Sequence, residues 1–190
     1  MKVGFIDSGK GALAVASKVL KKGDEAIIIM DECYFPYGNK TKEFLCKRAY
    51  YLVNYLLGLK VDKIVLACNT LSLQALDFLR QNINFEIIGI FDFIKDELNT
   101  RSLVLGSKTT YHLVKKLYPD VPTFDASELI NAIQKKEDYK TILNSYQLLF
   151  KKYDCLILAC THFLYIDEEE FKKEVVDPII KLKEYLYSEK

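Results

Sequence analysis

The sequence predicts an α/β fold of two pseudo-symmetric lobes, each a mostly parallel sheet flanked by helices, with the active site in the cleft between them. Short apolar runs alternate with stretches of helical composition along the chain, which is typical of parallel sheets crossed by helices. Polar or glycine residues follow several of these runs directly. Residues 64–70 (IVLACNT) also resemble residues 156–162 (LILACTH), so the two halves share a local pattern.

The order of these elements can be read along the chain. Strands are predicted at residues 3–7, 26–30, 64–67, 86–90, 102–105, 121–124 and 155–159. Helices are predicted at residues 12–22, 41–57 and 71–81, after the strands at 86–90 and 102–105, from Ser127, over a stretch closing at 145–152, and from Phe171 to the C-terminus with Pro178 inside. Three tyrosines at helical spacing, Tyr50, Tyr51 and Tyr55, favour core packing over a dimer interface.

Composition limits the possible partners. The net charge is +1, with 27 basic and 26 acidic side chains, so no general field favours nucleic acid or an anionic membrane. The apolar runs fall far short of the roughly 20 residues that a membrane span needs, and no secretory segment is evident. We therefore expect a cytosolic protein whose five cysteines stay reduced. The two histidines and the absence of a CxxC pair predict no metal site.

The internal similarity also divides the chain. Cys68 and Cys160 are 92 residues apart, about half the chain, as expected for two related lobes. We expect lobe A, with Cys68, to contain residues 1–92 and 170–190, and lobe B, with Cys160, to contain residues 93–169.

These two cysteines stand at the predicted carboxyl ends of strands, where open parallel sheets bind ligands. A lone cysteine there is more often an inert small hydrophobe, and Cys33, Cys46 and Cys155 keep that interpretation. A pair of thiols on opposite walls of a cleft suits inversion at a carbon centre, because one group removes a proton from one face and the other returns one to the opposite face.

A cysteine needs help to form a thiolate, since its ordinary pKa lies above neutral and burial raises it. His162 follows Cys160 by two residues, and Asp7 ends the first strand near the expected position of Cys68. Either residue could instead be structural, His162 as a hydrogen-bonded core residue and Asp7 as a cap. Residues 7–11 (DSGKG) match no nucleotide-binding motif, but their backbone N–H groups suit a carboxylate.

Together these motifs resemble the glutamate racemase family, within the wider aspartate/glutamate racemase group. The opening VGFIDSGKGAL, the PYGNK segment at 36–40, and the ACNT and ACTH motifs match the family pattern in order and rough spacing. The likeness extends from Val3 to about 176–177. Lys10, Ala12 and residues 163–165 depart from the pattern.

The resemblance implies roles for individual residues. It implies Cys68 and Cys160 as the two bases, assisted by Asp7 and His162. It implies that the substrate is bound by Ser8, Tyr37, Gly38, Asn69, Thr70 and Thr161, with Ser107 and Thr110 as less certain matches. Glu128 could take the place of an acidic residue that assists the second cysteine, in an ambiguous register.

The resemblance further implies a homodimeric, cofactor-independent isomerase that interconverts L- and D-glutamate for peptidoglycan precursor synthesis. No lysine is singled out for a pyridoxal phosphate Schiff base. Three alternatives stay open: a racemase for aspartate or another amino acid, an inactive amino-acid-binding relative, and an α/β enzyme with one cysteine nucleophile.

Overall fold

The structure, a computed structural model, describes residues 1–188 and contains two four-stranded parallel sheets. The strands are β1 (Lys2–Asp7), β2 (Glu25–Met30), β3 (Lys63–Leu66), β4 (Ile87–Gly89), β5 (Ser102–Gly106), β6 (Thr123–Asp125), β7 (Cys155–Ala159) and β8 (Glu174–Val176). The first sheet has the spatial order β2-β1-β3-β4 and the second the order β6-β5-β7-β8, so the predicted two-lobe α/β fold is confirmed. Because the two orders are equivalent, β3 and β7 occupy the same central position in their sheets.

Helices connect most of these strands, but the predicted helical stretch after residues 86–90 is two short 3₁₀ turns, Ile90–Phe93 and Lys95–Glu97. The α-helices are α1 (Gly11–Val19), α2 (Lys42–Gly58), α3 (Asn69–Asn82), α4 (Lys108–Leu117), α5 (Ser127–Lys135), α6 (Tyr139–Ser145), α7 (Gln147–Phe150) and α8 (Ile179–Tyr187). Within residues 1–188, none of the helices is long and apolar enough to cross a bilayer.

The first sheet is covered on both faces. Leu45 and Leu56 of α2 pack with Leu76 of α3 on one face. Val15 of α1 and Leu182 of α8 belong to the apolar cluster on the other face. The strands of a parallel sheet that is buried on both faces are continuous apolar runs, without alternation of apolar and polar residues. This is why these strands could be predicted from the sequence.

The C-terminal region differs from the prediction of one helix from Phe171. Residues Glu174–Val176 form β8, which pairs with β7, and the helix begins only at Ile179 with Pro178 at its N-cap. Proline lacks a backbone N–H, so it fits the start of a helix and not its interior. The second sheet thus extends to Val176, although we expected residues from 170 to 190 in lobe A; residues 189 and 190 lie outside the described part of the chain.

The expectation that the α2 tyrosines pack in the core is wrong. Tyr50, Tyr51 and Tyr55 are 42%, 61% and 55% exposed, so they form an aromatic strip on the outer face of α2. The buried face of this helix is made by Leu45, Ala49 and other residues of the apolar cluster.

Candidate active site

The carboxyl ends of the central strands of both sheets lie around one cavity. It is lined by every residue that the sequence predicted for the site except Thr110. The first lobe contributes Asp7, Ser8, Tyr37, Gly38, Cys68, Asn69 and Thr70, and the second contributes Ser107, Cys160, Thr161 and His162. The aromatic and apolar wall formed by Phe35, Pro36, Ile130 and Ala159 was not predicted.

The two thiols are both in this cavity and both largely buried. Cys68 lies between β3 and α3 as the N-cap residue of α3, and Cys160 follows β7 directly. Burial raises the pKa of Cys68 well above its ordinary value, and the charge of Asp7 raises it further. Burial likewise raises the pKa of Cys160 to about 12. Neither thiol ionises readily in this closed site without a proton acceptor or a nearby positive charge.

Asp7 lines the cavity and accepts hydrogen bonds from residues of both lobes. Its Oδ2 accepts a hydrogen bond from the Thr161 hydroxyl at 2.8 Å, and its Oδ1 accepts from the Gly9 N–H at 3.0 Å and the Ser8 hydroxyl at 3.3 Å. Burial raises the pKa of this carboxyl, although His162 and these hydrogen bonds oppose the shift.

Gly11, at the start of α1, makes the contact between Asp7 and Thr161 possible. A Cβ atom at this position would lie 2.9 Å from the Thr161 Cβ and nearer still to the Thr161 hydroxyl and the Asp7 carboxylate. Real Cβ atoms essentially never approach other atoms within 3.0 Å. The absence of a side chain at Gly11 therefore lets the second lobe reach the end of β1.

His162 stands between the second thiol and helix α5. Its Nδ1 lies 3.6 Å from the Cys160 Sγ, and its Nε2 lies 2.7 Å from the Gln134 Oε1. Burial lowers the pKa of this imidazole and the charge of Lys10 lowers it further, while Asp7 opposes both. The ring is therefore predominantly neutral at neutral pH.

Three hydroxyl groups form a cluster between the two lobes, one from the first lobe and two from the second. Thr70 Oγ1 lies 3.0 Å from Ser107 Oγ and 3.2 Å from Thr110 Oγ1, and the last two oxygens are 3.2 Å apart. Thr110 thus contacts the other two hydroxyl groups but does not itself line the cavity. Hydroxyl groups both donate and accept, so this cluster can turn its donors toward a carboxylate.

The loop that carries Tyr37 is fixed by charged residues outside the cavity. Tyr37 donates a hydrogen bond to Asp31 Oδ2 at 2.6 Å, and Arg48 donates to both carboxylate oxygens of Asp31 at 2.9 and 2.7 Å. The loop also reaches the second lobe, where the Thr109 hydroxyl donates to the Gly38 carbonyl.

Asn69 stands out among the lining residues because it is 3% exposed and neither atom of its amide has a hydrogen-bond partner. An unsatisfied buried amide costs roughly 1–3 kcal/mol. Such an orphaned group in a cavity is available for a polar ligand.

Comparison with known proteins places this site in a family. A glutamate racemase from Aliarcobacter butzleri is 32% identical over 192 residues, covering 88% of this chain and 74% of that protein. The chain belongs to the glutamate racemase family. No family model matches the chain.

Solved structures of glutamate racemases have the same fold. The enzyme from Campylobacter jejuni superposes with a TM-score of 0.76 and 27% identity, covering 98% of this chain and 84% of that one. The Escherichia coli glutamate racemase, solved with L-glutamate and an activator, has a TM-score of 0.76 and 25% identity, covering 97% of this chain and 80% of that one.

The suggested role of Glu128 in this glutamate racemase family member is not supported by its position. Glu128 is exposed at the first turn of α5, and the α5 residue that contacts His162 is Gln134, almost two turns later. At this spacing on α5, the side chains of Glu128 and Gln134 point to different faces of the helix. A neutral amide, and not a carboxylate, therefore faces the histidine.

Sequence reasoning also missed Asp31, Arg48 and the steric role of Gly11. Each acts through a partner that is distant along the chain, and none belongs to a repeated pattern. Within residues 1–188, no group of three or more His, Cys, Asp or Glu side chains is arranged to hold a metal ion.

Proposed function

We propose that this protein is a cofactor-independent glutamate racemase in which Cys68 and Cys160 exchange a proton with the substrate Cα from opposite faces. The observation that carries the proposal is the meeting of two thiols, each from the equivalent central strand of its sheet, in one cavity. The E. coli relative solved with L-glutamate supports the choice of substrate.

The neutral donors of the cavity suit the carboxylates of the substrate. The hydroxyl cluster at Thr70 and Ser107, the amide of Asn69, and the backbone N–H groups at the start of α3 all provide hydrogen bonds without a fixed positive charge. Asp7, which is buried in the wall of the cavity, supplies a negative charge that attracts the substrate ammonium group.

The chemistry requires one thiolate and one thiol at a time. The thiolate takes the Cα proton, and the electron pair of the C–H bond passes into the adjacent carboxylate group. The opposite thiol then gives its proton to the other face of Cα and becomes the thiolate. The bound ammonium group favours this charge, since a nearby positive charge lowers a thiol pKa that burial has raised.

Asp7 and His162 assist from the two sides. Asp7 lies close enough to Cys68 to raise its pKa by charge, and His162 is within reach of the Cys160 thiol. Each can accept or return a proton as its neighbouring sulfur changes state.

The test measures conversion of L-glutamate in D₂O by chiral chromatography and mass spectrometry. We expect D-glutamate with one deuterium at Cα, and a loss of at least about a hundredfold in Cys68→Ser and in Cys160→Ser. The matched control is Cys33→Ser, because Cys33 is an exposed thiol outside the cavity and its loss should leave the rate unchanged.

The outcomes separate the alternatives. Turnover of L-aspartate and not L-glutamate would replace the substrate while keeping the two-thiol mechanism. Dependence on only one of the two cysteines would indicate a covalent nucleophile. Thermal stabilisation by glutamate without turnover would indicate a binding protein.

We further propose that the protein works in the cytosol as a homodimer and supplies D-glutamate for peptidoglycan precursors. Five free cysteines support a reducing compartment. The exposed aromatic strip of α2 supports a contact between subunits. Light scattering of the wild type and of a Tyr51→Lys variant tests the dimer, which should dissociate in the variant.

A further inference from the structure

Two neighbours, one a hydrogen-bond donor and the other an acceptor, hold the amide of Gln134 in a single orientation. Its Oε1 lies 3.4 Å from the Lys10 backbone nitrogen, and its Nε2 lies 3.4 Å from the Glu32 carboxylate. A backbone N–H only donates and an ionised carboxylate only accepts. The amide oxygen is therefore the atom that faces His162, at 2.7 Å.

This orientation determines the tautomer of the histidine. Because the amide oxygen only accepts, the Nε2 of His162 has to carry the hydrogen. In the neutral ring the lone pair is then on Nδ1, which is the atom that lies 3.6 Å from the Cys160 Sγ. The thiol hydrogen of Cys160 has an acceptor only in this tautomer.

The chain leaves room for the contact. A Cβ atom at Gly9 would lie 2.9 Å from the Gln134 Oε1 and 3.2 Å from the His162 Nε2. The Lys10 ammonium group also donates to the Gln134 backbone carbonyl at 3.0 Å, which anchors this end of α5 to the first lobe.

We propose that Gln134 is a positioning residue: it holds His162 as the neutral Nε2–H tautomer, so that Nδ1 accepts the proton of Cys160. The inference rests on the proposed racemase function and extends it to the cysteine of the second lobe. In the transfer, the Cys160 S–H bond breaks, the proton moves to Nδ1, and a thiolate with an imidazolium results. The thiolate is then able to take the Cα proton of one enantiomer only.

The electrostatic surroundings of His162 agree with a neutral resting ring. Burial and Lys10 lower its pKa, and Asp7 opposes them. The other ionisable groups near the ring are Cys160, Tyr165, Tyr139, Lys136 and Glu137, together with Glu32 through Gln134. A carboxylate in place of the amide would add a negative charge directly at Nε2 and would raise the pKa of the imidazole.

Two substitutions test this role in different ways. Gln134→Leu removes the acceptor with little change in volume, and Gln134→Glu keeps an acceptor but adds charge. We expect Gln134→Leu to lower kcat by about tenfold or more with little change in KM. We expect Gln134→Glu to move the acid limb of the kcat/KM profile to higher pH by about one unit, because protonated His162 cannot accept from the thiol.

A half-reaction assigns the effect to one cysteine. With a glutamate analogue that carries chlorine at Cβ, the thiolate removes the Cα proton, a C=C bond forms and chloride leaves, without any need for the second thiol. The enantiomer processed by Cys160 is the one whose elimination Cys160→Ser stops. Gln134→Leu should slow elimination from that enantiomer and leave elimination from the other at the wild-type rate, which also shows that the variant is folded.

The matched control is Gln81→Leu, an exposed glutamine of α3 far from the cavity, which should leave all of these rates unchanged. Equal slowing of both enantiomers, or an unchanged pH profile in Gln134→Glu, would overturn the proposed role of Gln134. If the wild-type protein racemises no glutamate at all, the proposed function itself is wrong, so the two failures are distinct.

Discussion

Replacement of Gly11 by alanine tests how the two lobes are joined, because helix propensity and packing predict changes of opposite sign in the free energy of unfolding. Gly11 is the first residue of α1, where alanine should stabilise by up to about 1 kcal/mol. Packing opposes this gain. The added methyl group would lie 2.9 Å from the Thr161 Cβ and closer still to the two oxygens that share the interlobe hydrogen bond.

The size of the loss can be worked from that hydrogen bond. The Thr161 hydroxyl and the Asp7 carboxylate are 2.8 Å apart, and they have to separate to admit the methyl group. A hydrogen bond to a charged group contributes about 1.5–3 kcal/mol. Subtracting the gain in helix propensity leaves a net destabilisation of about 0.5–2 kcal/mol, which lowers Tm by roughly 1–8 °C in a chain of this length.

Differential scanning calorimetry and initial rates of racemisation measure the two consequences. We expect the lower Tm together with a loss of at least about tenfold in kcat/KM, because Asp7 and Thr161 both line the cavity. Gly58→Ala is the matched control: it ends α2 and a Cβ atom there meets nothing within 4 Å, so its stability should be equal or higher. A Gly11→Ala protein with wild-type stability and activity would refute this account of the interface.

Two further substitutions separate stability from binding. Burial raises the pKa of Asp31, but hydrogen bonds from Arg48 and Tyr37 outweigh it and leave the pKa below its ordinary value. The stabilisation from these hydrogen bonds is therefore present at neutral pH and is lost as the pH falls from the unfolded pKa through the lower folded pKa. Arg48→Met should destabilise the protein by about 1–2 kcal/mol in urea at pH 7 and by progressively less as the pH falls below about 4. Asn69→Leu removes an unpartnered buried amide, so it should leave unfolding in urea unchanged or raise stability by up to about 1 kcal/mol, while abolishing the thermal shift produced by D-glutamate.

The fold was predictable where burial leaves a simple pattern. β1, β3 and β7 are buried central strands, so each is a mostly apolar run; β1 ends at Asp7, and the cysteines Cys68 and Cys160 follow β3 and β7. The exception is β8, which is three residues long and has an exposed Glu174 at its start. Only two of its residues, Val175 and Val176, are apolar, which is too short a run to indicate a strand beside the helical composition of residues 179–187.

The candidate site was predictable where the proposed catalytic groups lie beside strand ends. Cys68 and Cys160 belong to a repeated motif, and their placement at equivalent strands follows from the repeat itself. Gln134 has no such signal. Its proposed role depends on the face of α5 that turns toward His162, and the apolar positions along 127–135 do not indicate which polar residue faces a histidine so distant along the chain.

The closed arrangement of the cavity affects how substrate enters it. Its volume is about 30 Å³, room for no more than a few water molecules, so we expect the lobes to separate before glutamate enters. Separation breaks the interlobe hydrogen bonds from Thr161 to Asp7 and from Thr109 to Gly38, along with the contact between Thr70 and Ser107.

Several groups that join the lobes are the same groups that the proposed mechanism assigns to the substrate. Asp7 and Thr70 therefore exchange an interlobe partner for a substrate partner, and the net gain from each exchange is small. Asn69 has no partner to give up in the closed protein. Its hydrogen bonds to the substrate are gained in full, and they also remove the cost of an unsatisfied buried amide. Among the polar residues of the cavity, Asn69 should accordingly contribute the largest share of the binding free energy.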